Sequence, residues 1–320
     1  MLISLLAVAL GLALLLWSAE RFVASASALA AGFGVPPLLI GMLVIGFGTS
    51  APELTVSALA AGSGNPGIAL GNAYGSNITN IALILGLTAL IGPVMVQSTA
   101  LRRELPVLLA ITALAGFQLL DGHVSRLDAA LLLIVFAGWV SWSIFDARGR
   151  STDPLAHDVD RELARDSGTP RSDALWLIGA LLVLIAASRL LVWGAVDMAG
   201  RFGVSDLVIG LTVVAIGTSL PELASSVVAA RRGEHDLAFG NILGSNLFNT
   251  LAVVGLAGAI APLPVPEGMV SRDLPVLVAL TLVLALFGFG WRGPGRINRL
   301  EGGLLVAGFA AYTTWLLLQS

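Results

Sequence analysis

Shifting the 320-residue chain against itself by 169 positions brings three separated motifs into register. Gly48-Thr49-Ser50-Ala51-Pro52-Glu53 falls on Gly217-Thr218-Ser219-Leu220-Pro221-Glu222. Gly71-Asn72-Ala73-Tyr74-Gly75-Ser76-Asn77 falls on Gly240-Asn241-Ile242-Leu243-Gly244-Ser245-Asn246, and Arg103-Glu104-Leu105-Pro106-Val107 falls on Arg272-Asp273-Leu274-Pro275-Val276. Shared apolar composition would match Leu with Leu and Ala with Ala. It would not match Pro-Glu and Asn at one constant offset, so the sequence reads as two copies of one unit.

The solvent of that unit follows from charge. Only 12% of residues are charged and 57% are hydrophobic, against about 25% charged in a soluble domain. Too little polar surface remains to cover a water-soluble globule, and lipid must solvate much of the chain. A spanning helix takes about 20 apolar residues. Apolar stretches fall at 2–31, 37–61, 67–92, 104–120, 126–144, 174–200, 206–230, 237–261, 273–290 and 299–318. The expectation is an all-α membrane protein of ten transmembrane helices. The first apolar stretch lacks a basic flank and a cleavage site and is read as a retained span.

Five spans per copy is an odd number, so the second copy enters the bilayer from the opposite side. The two five-helix repeats, 1–145 and 174–320, are thus expected to be inverted, as in many secondary transporters, whose sites lie near the midplane between repeats. Between them, 146–173 is rich in Arg, Asp and Glu and is read as a short solvated linker that buries nothing. With both termini outside, the cytoplasmic loops hold Arg102, Arg103, Arg148, Arg150, Arg161, Arg165, Arg171, Arg231, Arg232, Arg292, Arg296 and Arg299. The outside loops hold Arg126, Arg201 and Arg272. The positive-inside rule then places the linker in the cytoplasm.

Glu53 and Glu222 lie inside apolar spans, where a carboxylate costs from about 2.5 to more than 10 kcal/mol. No matched arginine sits nearby on either span, which favours a bound cation over a structural salt bridge. Pro52 and Pro221 have no N–H to offer the carbonyls of Gly48 and Gly217, and disturb those of Thr49 and Thr218. Backbone oxygens released at membrane depth need a receiver, and a hard cation is one. Ser50, Glu53 and Ser57 share a helical face, as do Ser219, Glu222 and Ser226; Asn72, Ser76 and Asn80 form a stripe of spacing four, as do Asn241, Ser245 and Asn249. All are oxygen donors, with no Cys in the chain, which points to Ca2+, Mg2+ or Na+ rather than Zn, Cu or Fe. Ca2+ takes 6–8 oxygens: two bidentate glutamates supply four, and the Thr49 and Thr218 carbonyls two more. Gly71 and Gly75, and Gly240 and Gly244, are small-xxx-small pairs that let the Asn-bearing helix approach the Glu-bearing one.

These duplicated motifs, Gly-Thr-Ser-x-Pro-Glu followed by Gly-Ser-Asn, resemble those of the sodium/calcium exchanger family of the cation/Ca2+ antiporter superfamily. With so short a central segment, the chain looks like a small prokaryotic member without regulatory calcium-binding domains. The resemblance implies ten helices, with the second, third, seventh and eighth around the ions and the first and sixth sliding against them. The implied ligands are Thr49, Ser50, Glu53, Ser76 and Asn80, then Thr218, Ser219, Glu222, Ser245 and Asn249, with backbone oxygens of Gly46 and Ala215 for Na+. Where many members carry Asp, this chain has Asn249.

The expected function is therefore exchange of Na+ for Ca2+ by alternating access, the alternative being Ca2+/H+ exchange through the same site. An enzyme is not expected: there is no Cys and no His-Glu-x-x-His, and an aspartyl site would require paired Asp. No cofactor is expected; Ca2+ with Na+ or H+ are the transported ions. The expected partners are membrane lipid and inorganic cations, not nucleic acid, with the monomer as the working unit, in the inner (plasma) membrane.

Overall fold

The structure is a computed structural model; residues 1–33, 35, 40, 45–147, 154–163, 170–289 and 295–319 are described. Among the described residues, the chain is mostly helical, with two small two-stranded ribbons. In order, α1 is Leu2–Gly32, α2 Gly46–Thr49, α3 Ala51–Gly62, and α4 Pro66–Ile91. β1 (Val94–Val96) leads to α5 (Thr99–Leu119), and β2 (His123–Val124) to α6 (Arg126–Ala147). Then come α7 (Pro154–Leu163), α8 (Pro170–Phe202), α9 (Asp206–Thr218), α10 (Leu220–Arg231) and α11 (His235–Ile260). β3 (Leu263–Pro264), α12 (Met269–Phe289), β4 (Gly295–Ile297) and α13 (Arg299–Leu318) complete the chain. β1 pairs antiparallel with β4, and β2 with β3.

Among the described residues, seven helices are long and apolar enough to cross a membrane, and the broken pair α9–α10 makes an eighth. Of the ten expected spans, 37–61 falls partly on residues outside the described set, and α5 carries Arg102, Arg103 and Glu104 near its start. Burial separates centre from periphery. In α4 and α11, 78% and 89% of the apolar window is enclosed by protein, against 39% or less in α1, α6, α8, α12 and α13. Lipid is the natural neighbour of the latter group. Apolar side chains facing hydrocarbon need no protein partner.

Glycine brings α4, one of these two innermost helices, close to its neighbour. A Cβ on Gly71 would lie 2.8 Å from the Leu207 carbonyl oxygen, and one on Gly75 2.8 Å from Leu211 Cα. Backbone therefore meets backbone where α4 crosses α9, as the small-xxx-small spacing predicts. Gly240 differs: its Cβ would meet only side chains, Leu101 at 3.3 Å and Leu155 at 3.6 Å. On the flank, α1 and α8 run side by side. A Cβ on Gly11 would touch Leu191 N at 3.1 Å and one on Gly194 Ser4 O at 2.9 Å, while Ser4 donates to Asp197. Trp17 meets Trp176 edge-on at 6.3 Å.

The central segment departs from its reading as a solvated linker. Pro154–Leu163 is helical, and Leu155, Ala156 and Val159 are buried, with Leu155 reaching the Gly240 face of α11. The three apolar residues fall at i, i+1 and i+4. Such a stripe makes an amphipathic helix out of an otherwise charged stretch, and total composition conceals it.

Candidate functional site

The prolines do more than bend a continuous helix. α2 ends at Ser50 (φ −86°, ψ 10°) and α3 begins at Ala51, with Pro52 in its first turn. α9 ends likewise at Ser219 (φ −84°, ψ 7°), and α10 carries Pro221 in its first turn. The first turn is where a missing N–H does no harm. The second break bends the span by 43°. The Gly48 and Gly217 carbonyls are denied a partner four residues on, because Pro52 and Pro221 carry no N–H. Glu53 and Glu222 thus stand in the first turn of a helix, where the positive end of its dipole favours negative charge.

Both glutamates are fully buried, and each is bonded by the serine of the other motif. Ser50 Oγ donates to Glu222 Oε1 at 2.8 Å, and Ser219 Oγ to Glu53 Oε1 at 3.1 Å. Ser245 Oγ also donates to Glu222 Oε1 at 3.3 Å. Ser50 stands at the helix break itself, and its hydroxyl serves the carboxylate of the opposite half. Thr49 and Thr218 lie beside Ser245 and Ser76, at 3.4 Å in both cases.

Asn72 and Asn241 brace these breaks. Asn72 Nδ2 donates to the Glu53 carbonyl at 3.1 Å and to Ser57 Oγ at 2.9 Å, while its Oδ1 accepts from Thr218 Oγ1 at 2.9 Å. Asn241 does the same with the Glu222 carbonyl (3.3 Å), Ser226 (3.2 Å) and Thr49 (3.0 Å). Each amide ties together one half's carboxylate-bearing backbone and the other half's threonine. Ser57 and Ser226 face these amides rather than the carboxyl groups.

Asn80 and Asn249 behave differently. Both are fully buried, and none of their amide atoms has a hydrogen-bond partner; the same holds for Glu53 Oε2 and Glu222 Oε2. Both asparagines sit in π-helical turns, Thr79–Ile84 and Asn249–Val253, of the kind found at functional sites. A buried polar atom without a partner costs about 1–3 kcal/mol, more if charged. Two carboxyl oxygens and two amide oxygens left in this way form a donor set fit for a hard cation. Ala215, by contrast, has its carbonyl occupied by Ser219 N at 3.1 Å and Thr218 Oγ1 at 3.3 Å, and Gly46 opens α2.

Sequence reasoning gave no role to Asn77 and Asn246, although both stand in the repeated motif. Asn77 Nδ2 donates to Thr250 Oγ1 at 2.8 Å, linking α4 to α11. The residue 169 positions before Thr250 is Ile81, which has no hydroxyl, and the Asn246 amide has no partner. That difference was readable from the repeat alignment.

Long apolar helices around a buried core of carboxylate, hydroxyl and amide groups define a multi-pass integral membrane protein. A profile of the family described as "Sodium/calcium exchanger protein" matches residues 3–145 and 172–318. The chain belongs to the sodium/calcium exchanger family, a family of membrane antiporters. It is 43% identical over 309 residues to the inner membrane protein YrbG of Escherichia coli, covering 96% of this chain and 94% of the relative. It is 31% identical to the sodium/calcium exchanger MaX1 of Methanosarcina acetivorans, covering 97% of each. Among solved structures, the sodium-calcium exchanger NCX_Mj, soaked with 2.5 mM Na+ and 10 mM Sr2+, superposes with a TM-score of 0.68 at 32% identity and 97% coverage of both chains.

Proposed function

We propose that the chain is a secondary active antiporter that exchanges Na+ for Ca2+ by alternating access, without enzymatic activity, through a site built on Glu53 and Glu222. The observation that carries this reading is the set of fully buried, unpartnered polar atoms: Glu53 Oε2, Glu222 Oε2 and the amides of Asn80 and Asn249. Thr49, Ser50, Ser76, Thr218, Ser219 and Ser245 surround them as neutral oxygen donors, with the backbone oxygen of Gly46 as a further Na+ ligand and that of Ala215 able to join once it is released from Ser219 and Thr218. Two carboxylates balance one Ca2+ or two Na+. Near-neutral loads cross a low-dielectric region most readily, since an uncompensated ion there costs several kcal/mol.

In this reading the chain has ten spans arranged as two inverted five-helix halves, with 146–173 joining them. The halves rock about the site while α1 and α8 slide past it. The arginine distribution places both termini outside and the central segment in the cytoplasm, in the inner membrane and working as a monomer. The inorganic cations are cargo, and no cofactor takes part.

Two protons would balance the glutamates as well as two Na+, so Ca2+/H+ exchange is the second reading. Reconstitution into liposomes separates the two. With the membrane potential clamped, 45Ca2+ uptake is expected to follow an outward Na+ gradient and not a pH gradient. Uptake driven by pH alone would replace the first reading with the second.

A further inference from the structure

α1 carries an ionisable residue that the paired glutamates do not account for. Glu20 stands about 27 Å from the start of this helix and about 18 Å from its end, at ~1.5 Å per residue, inside the first apolar span. Intramembrane carboxylates are rare and mark ion pathways. Among the described residues, no hydrogen bond or salt bridge reaches Glu20. Its neighbour Arg21 is drawn elsewhere, with its guanidinium 5.2 Å from the centre of the Trp176 ring.

Glu20 lines a cavity of about 260 Å³ that runs between α1 and α10. Thr49 and Pro221, from the two helix breaks, lie at its inner end, and Arg232 and Glu234 lie on the side of the α10–α11 turn. Val23, on the same face of α1, packs on Gly48: a Cβ there would lie 2.9 Å from Val23 Cγ2. The charged residues lining the cavity are Glu20, Arg232 and Glu234, a net charge of −1. Glu234 is 1% exposed and already engaged by neighbours, whereas Glu20 is exposed. Apolar walls, including Ala24, Ala28 and Val228, confine the field of such a charge. Clefts of this kind raise counter-ion concentration and on-rates.

We propose that Glu20 is a capture residue: it binds the incoming Ca2+ in this cavity and passes it inward, past Thr49, to Glu53 and Glu222. This rests on the antiporter reading and adds to it a residue that acts from one side only. The residue 169 positions on is Arg189, so the second half offers a cation, not a carboxylate, at the matching position. Capture is therefore one-sided, and Ca2+ presented to the cavity side is taken up at lower concentration than Ca2+ presented to the other. By the arginine distribution the cavity side is cytoplasmic, and the asymmetry favours export of Ca2+.

The test is initial-rate 45Ca2+ uptake into inside-out and right-side-out membrane vesicles containing wild type, Glu20→Gln or Glu20→Asp. Glu20→Gln is expected to raise KM for Ca2+ about 3–10-fold on the cavity side. Vmax should stay within about twofold, and KM on the opposite side should be unchanged. Glu20→Asp restores most of the loss. The KM difference should shrink between roughly 0.01 M and roughly 0.3 M ionic strength, because the attraction acts through a partly solvated space. An unaltered cavity-side KM, or an equal rise on both sides, overturns the proposal while leaving the antiporter reading intact. Absence of ion-driven Ca2+ movement in the wild type overturns both.

Discussion

Ser50 Oγ donates to Glu222 Oε1 at 2.8 Å across 172 residues of sequence, and Ser219 returns the bond to Glu53 at 3.1 Å across 166. Each carboxylate is thus oriented by the helix break of the other half. A displacement of one half against the other must move both glutamates relative to their serines at once. This gives a direct physical coupling between the packing of the halves and the geometry of the site.

Glu53→Gln and Glu222→Gln should each lower Ca2+ transport by at least ~100-fold in proteoliposomes. Truncating one member of a buried charge interaction costs about 2–5 kcal/mol, and 2.7 kcal/mol corresponds to roughly 100-fold. The mutants should elute from size exclusion as the wild type does, because the amide can still accept from Ser219 or Ser50. Near wild-type transport by either one would remove these residues from the site.

Gly71→Ala and Gly240→Ala should differ although they occupy equivalent positions. A methyl group on Gly71 meets the Leu207 carbonyl at 2.8 Å, whereas on Gly240 it meets the end of Leu101 at 3.3 Å. Backbone cannot yield as a side chain can, and overpacking costs about 1–3 kcal/mol. Thermal unfolding in detergent should show a clearly lowered Tm for Gly71→Ala and a small change for Gly240→Ala. Equal shifts would contradict the close α4–α9 crossing.

Leu155→Ala should destabilise the protein by about 2–3 kcal/mol while leaving exchange measurable. The side chain is fully buried, and removing a buried leucine side chain down to the methyl costs about 2–5 kcal/mol. It is far in sequence from the carboxylates and contributes no oxygen to the site. Denaturant titration checks the first part and 45Ca2+ uptake the second. A mutant of unchanged stability would mean that α7 does not pack against α11.

Asn249→Asp should increase the net charge moved per cycle. In the proposed site the wild type has two acidic groups, which one Ca2+ or two Na+ would balance. A third carboxylate makes room for a third monovalent ion at low electrostatic cost. Current recorded from proteoliposomes on a solid support during Na+-driven Ca2+ movement provides the measurement. A clear net charge per cycle in the wild type, unaltered in Asn249→Asp, would show that neutral amide and hydroxyl oxygens suffice to hold the extra ion, and no net charge in either protein would defeat the prediction.

The sequence by itself determined the solvent, the duplication and the chemistry. Low charge demanded lipid, the 169-residue offset revealed two related units, and Pro-Glu twice within apolar stretches marked Glu53 and Glu222. Each of these can be read from the order and composition of residues without knowing how the chain packs. Tertiary structure decided the partners. That Ser50 serves Glu222 rather than Glu53 depends on a break in backbone direction and on the approach of a segment more than 160 residues away. That Asn72 braces a helix break, while Asn80 eight residues later is left without a partner, depends on a π-helical turn and on what lies opposite each amide. That Leu155 is buried depends on where α11 offers a glycine face to receive it. Periodicity places a side chain on a face of its own helix; only packing at a distance specifies what that face meets.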